Sequence, residues 1–182
     1  HAVNECLATN PIDGLCTNSP HGIMPDWDVS NIDDMSGTFK NKRTFNADIS
    51  NWDVSNVRLM GEMFYNADDF NQPLDDWDTG DVIIMREMFG KYEHSSADMV
   101  FNQNIGNWDV SRVIDMENMF SGTKDFNQDI GDWNTSNVTN MKDMFRDAAS
   151  FNQDLSSWDV SKVSNMNFMF YNAKSFNKPL NS

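Results

Sequence analysis

Apolar residues along this chain change their spacing within short, repeated stretches. In one such stretch Trp52 and Val54 alternate with the polar Asp53 and Ser55, a period of two that predicts a short half-buried strand. From Ser55 onward Val57, Met60, Met63, Phe64 and Ala67 follow at intervals of three and four, which predicts a helix of about two to three turns with Ser55 as its N-cap. A polar run between two apolar pins then follows, in its commonest form Phe-Asn-Gln-Asp-Ile or Phe-Asn-Gln-Asp-Leu, and reads as a return turn.

The whole stretch recurs. Trp27, Trp52, Trp77, Trp108, Trp133 and Trp158 are all the tryptophans of the chain and fall in one column, with separations of 25, 25, 31, 25 and 25. Met35, Met60, Met85, Met116, Met141 and Met166 form a second column, and Phe39, Phe64, Phe89, Phe120, Phe145 and Phe170 a third. Departures are few: Thr38 replaces the second Met of the first unit, Thr79 and Thr135 replace the Val after Trp, and six extra residues lie between Phe89 and Phe101. A fixed period of this length predicts repeats that cannot bury their apolar faces alone and stack to make a common core. The expected organisation is a cap over residues 1–26, then six units over residues 27–182, with an insertion within residues 90–100.

The spacing Ile49-x-x-Trp52-x-Val54 resembles the L-x-x-L-x-L core of leucine-rich repeats. With Phe151-Asn-Gln-Asp-Leu and Trp158-Asp-Val-Ser, it makes residues 27–182 similar to the BspA-like leucine-rich-repeat surface proteins, a family of 25-residue repeats abundant in mycoplasma lipoproteins. The resemblance implies a right-handed α/β solenoid, with short parallel strands on one face and helices on the other. It also implies surface exposure, adhesion and contact with a host or partner.

Charge narrows the partners. Lys and Arg number 13 against 28 Asp and Glu, a formal charge of −15, which opposes nucleic acids and anionic membrane surfaces and favours cationic partners or metal ions. No apolar run approaches the roughly 18 residues of a membrane span, so membrane insertion by this segment is not expected. Cys6 and Cys16 are the only cysteines and, in an oxidising compartment, would close a small loop in the cap. The start at His1 suits a mature secreted protein or an excised fragment. Two glycosylation sequons, at Asn134 and Asn137, add to the expectation of an extracellular or cell-surface protein.

Candidate site residues lie outside the core columns. Asp28, Asp53, Asp78, Asp109 and Asp159, with Asn134 in the same column, follow Trp directly and would stack as a ladder. Such a ladder is either a strip for calcium or for Lys and Arg of a partner, or a set of Asx turns satisfying local backbone N–H groups. Asn46, Asn71, Asn102, Asn127, Asn152 and Asn177 recur without exception and predict a buried amide column bonded to neighbouring units. The insertion carries Tyr92, Glu93, His94 and Asp98, mixed chemistry on a face that repeat proteins often use for binding. No nucleophile, phosphate loop or acid pair rises above the repeat, and His1 could hold copper only on a different scaffold. The reading is a non-enzymatic recognition or adhesion module for a protein or glycan; the alternative is a structural subunit of a surface assembly. The last unit, ending at Leu180, Asn181 and Ser182, is expected to be covered by more chain or by a neighbour.

Overall fold

The computed structural model describes residues 2–91 and 98–179. The one α-helix among the described residues, α1 (Ala2–Thr9), buries Cys6 and Leu7. Pro11 follows its last turn and disfavours helix at Asn10. A short 3-10 turn spans Met24–Asp26. Cys6 and Cys16 are joined by a disulfide with a Cα–Cα distance of 5.2 Å. This cap docks by the Asn46 N–H on the Ile12 carbonyl (2.7 Å) and by the Trp52 indole N–H on the Met24 carbonyl (3.1 Å).

The expected α/β solenoid is not what the chain forms. Among the described residues there is no strand, no sheet and no helix within any repeat unit. Successive units are instead linked by isolated parallel bridges that pair Asp34, Leu59, Ile84, Asp115, Asn140 and Asn165 in turn. Trp52 and Val54 do alternate in burial, yet the residues around them make no bridge.

Hydrogen bonding explains why the helix spacing misleads. The N–H groups of Met60, Glu62, Phe64 and Asn66 bond outward to the carbonyls of Ile84, Arg86, Met88 and Gly90 in the next unit, at 2.9–3.0 Å. The intervening N–H groups of Met63, Tyr65 and Ala67 close turns on the residue three back. Such a path carries its side chains inward at three- and four-residue spacing, as a helix would. It also requires left-handed backbone at alternate corners: φ is 58° at Glu62 and 56° at Asn66, with matching values at Asn118, Asp143, Asp147 and Asn172. A residue in that region cannot continue a right-handed helix, so Ser55 caps none.

Side chains complete the stack. Phe39, Phe64, Phe89, Phe120, Phe145 and Phe170 lie ring over ring at 5.4–5.8 Å. A parallel column runs through Phe45, Phe70, Phe101, Phe126, Phe151 and Phe176 at 5.6–6.3 Å. The two rings of each unit stack face to face, and Phe89 and Phe101 do so at 3.9 Å although the six extra residues separate them. The insertion is therefore accommodated without disturbing the aromatic core. The tryptophans from Trp52 to Trp158 are buried, and each donates its indole N–H to a main-chain carbonyl earlier in the stack: Met24 of the cap for Trp52, then Ile49, Leu74, Ile105 and Ile130 for Trp77, Trp108, Trp133 and Trp158. That bond removes the cost of burying the one polar atom of the ring.

Candidate functional site

The exposed surface repeats as regularly as the core. Asp28 accepts hydrogen bonds at Oδ1 from the Ser30 N–H (3.1 Å) and hydroxyl (2.7 Å). Asp53 holds Ser55 in the same way, while Asp78, Asp109 and Asp159 accept from the N–H of Gly80, Ser111 and Ser161. Asn134 keeps the geometry without the charge, accepting from Ser136 at 3.2 and 2.7 Å. The column is thus a set of Asx turns, and the turns fix where its carboxylates stand. Hydrogen bonds from the following serine hold the carboxyls of Asp28, Asp53, Asp109 and Asp159 below their usual range, so they stay ionised. Among the described residues no group of three or more carboxylates, histidines or cysteines could hold a metal ion, and calcium gains no support from this arrangement.

Two further Asx rows went unread in the sequence. Asp48, Asn104, Asp129 and Asp154 cap the N–H two residues on at one corner, and Asp34, Asp115, Asn140 and Asn165 do so at another. The Asp-x-Ser and Asp-x-Gly spacings at Asp34, Asp48, Asp129 and Asp154 were the available signal, and Asp115, Asn140 and Asn165 carry none.

The Asn column links the units, although it lies half-buried to exposed rather than buried. The Asn46 Oδ1 accepts from the Asn71 N–H at 3.0 Å, and the same bond repeats from Asn71 to Asn102, Asn127, Asn152 and Asn177. Glutamines strengthen it: the Gln128 amide donates to both the carbonyl and the Oδ1 of Asn102 at 2.9 Å.

Of the insertion residues, Tyr92, Glu93 and His94 lie outside the described residues, as do Leu180, Asn181 and Ser182. Asp98 bridges Lys91 at 3.0 Å and Lys124 at 2.6 Å, tying the insertion to the following unit. The two sequon asparagines differ. Asn134 is exposed, whereas Asn137 donates its amide to the Ser111 carbonyl at 2.7 Å and receives Lys162 at 2.6 Å.

No helix among the described residues is long and apolar enough to cross a membrane. No curated protein and no solved structure matches the chain. One family does, over residues 16–98 and again over residues 91–182, so two overlapping matches take in the whole of the repeat. The chain belongs to that family, described as a mycoplasma protein of unknown function, DUF285.

Proposed function

We propose that this chain is a non-enzymatic, extracellular or cell-surface binding module of the BspA-like kind, whose exposed acidic rows contact a basic protein or glycan. The observation that carries this reading is the regular presentation of Asp28, Asp53, Asp78, Asp109 and Asp159, each exposed and anchored by its own turn. Carboxylates fixed before binding lose less conformational freedom than mobile ones, and a chain of net charge −15 attracts cationic surfaces from a distance. The disulfide suits an oxidising compartment.

The test replaces Asp53, Asp78 and Asp109 together by Asn. Asn134 shows that this change keeps the turn and removes only charge. Binding to a basic protein such as a histone or lysozyme should weaken by about tenfold or more and lose most of its dependence on salt. Unchanged affinity and unchanged salt dependence would reject the acidic rows as the contact.

A structural subunit of a surface assembly is the second reading, favoured by the last unit, where Met166, Phe168 and Tyr171 are 40%, 61% and 54% exposed. Sedimentation over a wide concentration range tests it. Self-association lost on replacing Phe168 and Tyr171 by Ser supports the assembly, and a monomer throughout counts against it.

A further inference from the structure

The cap covers the phenylalanine columns completely but leaves the head of the tryptophan column open. Phe39 and Phe45 are fully buried, whereas Trp27 alone among the six tryptophans is only half-buried. Between α1 and the first unit lies a cleft of about 530 Å³, within the size range of small-ligand sites. Trp27 and Trp52 line it with Ile32, and three carboxylates border it, those of Asp26, Asp28 and Asp34. No Lys or Arg borders it among the described residues. Among the described residues its one basic side chain is His21, whose ring is T-shaped to Trp27 and whose Nε2 lies 3.5 Å from Glu5.

Backbone chemistry points the same way. In the second unit the carbonyls of Leu59, Gly61, Met63 and Tyr65 each accept an N–H from the first unit. Their equivalents in the first unit, the carbonyls of Asp34, Ser36, Thr38 and Lys40, accept none among the described residues, and Asp34 and Thr38 lie at the cleft. The Oδ1 atoms of Asp28 and Asp34 are taken by Ser30 and Ser36, and no described donor meets their Oδ2 atoms. The cleft therefore combines indole surface, carbonyl acceptors with no described partner and three carboxylates, with Ala2 and Val3 of the first turn of α1 at its edge.

We propose that this cleft binds an organic cation with an apolar flank, an alkyl- or arylammonium or a guanidinium group. The ammonium or guanidinium N–H groups meet the free carbonyl and carboxylate oxygens, its charge is attracted to the indole faces, and its apolar flank packs on Ile32. This site stands apart from the Asp28–Asp159 row as a contact surface, sharing only Asp28 with that row, and neither reading requires the other.

The experiment follows the indole N–H resonances of the intact protein by NMR during titration with phenethylammonium, with phenethyl alcohol and phenylacetate as neutral and anionic matches of the same shape. A saturable shift of the Trp27 resonance at millimolar or lower phenethylammonium is expected, with weaker or no response to the two matches. In the Asp26→Asn, Asp34→Asn double variant the affinity should fall about five- to tenfold, while the amide replacing the Asp34 carboxylate can still form the Asx turn. Retention of the remaining indole resonances in the variant confirms that it is folded. A second arm uses an acetylated, amidated Gly-Arg-Gly peptide: binding much tighter than free phenethylammonium identifies a partner's side chain as the source, and comparable or weaker binding a free small molecule. No saturating shift with either cation, or equal response to the neutral match, overturns the proposal.

Discussion

The fifth and sixth units carry nearly the same letters and have different fates. Met141, Phe145 and Phe151 are fully buried, while their counterparts Met166, Phe170 and Phe176 are exposed or half-buried. The N–H groups of Met141, Asp143, Phe145 and Asp147 bond to carbonyls of the sixth unit, and those of Met166, Phe168, Phe170 and Asn172 meet no described acceptor. The difference teaches that the apolar letters of a unit become core only when a neighbour lies against them. Stability resides at the junctions between units more than within any one of them.

The sharpest test of that comparison removes one ring from each environment. Phe120→Ala, which opens a hole between two neighbours, should cost about 3–5 kcal/mol in denaturant unfolding. Phe170→Ala, with a neighbour on one side only, should cost about half as much or less. Equal losses would break the comparison.

Next in size is the amide ladder. Asn102→Ala removes the acceptor for the Asn127 N–H and one acceptor for Gln128, so a loss of about 2 kcal/mol is expected. Asn177 donates its N–H to Asn152, but its side chain meets no described partner, and Asn177→Ala should change stability by about 0.5 kcal/mol or less.

A smaller effect comes from a position where one unit breaks the pattern. Asp68 is buried and lies 3.3 Å from Arg43, yet neither carboxylate oxygen makes a hydrogen bond among the described residues. Burial pushes its carboxyl up, partly countered by Arg43 and Lys91. A raised folded value means its contribution is present below the ordinary carboxylate range of about 4 and is lost as pH rises through the folded value. Ala149 occupies the equivalent place in the fifth unit. Asp68→Ala should therefore stabilise the protein by about 1 kcal/mol at neutral pH, and the gain should shrink on acidification. Asp28, Asp53, Asp109 and Asp159 have the opposite sign, since their carboxyls are held down by serine. Their contribution is present above about pH 4 and is lost as pH falls through their lowered values. Melting curves of both proteins from neutral pH to pH 3 check the crossing trends.

The columns were legible because stacking places identical residues over one another, so a period in the letters is a period in space. Local backbone was not legible from the same letters. Val57, Met60, Met63, Phe64 and Ala67 satisfy a helical spacing, and paired turns with alternate outward N–H groups satisfy it equally. One signal did separate the two. Asn41, Asn66, Gly122, Asp147 and Asn172 share a corner, and all are residues that tolerate the left-handed φ found there. Glu62, Glu87 and Phe168 adopt the same region at the other corner and carry no such mark. Within the candidate site, Asn134 among the aspartates already pointed to Asx turns. The cleft at Trp27 could not be read, since it depends on which columns the cap covers.

Amide hydrogen exchange resolved residue by residue tests the stacked-turn account most directly. It predicts strong protection at Met60, Glu62, Phe64, Met116, Asn118 and Phe120, whose N–H groups bond to the next unit, and fast exchange at Met166, Phe168 and Phe170. Protection of the same consecutive amides by a helical pattern of bonds four residues back, or equal protection in the fifth and sixth units, would contradict it.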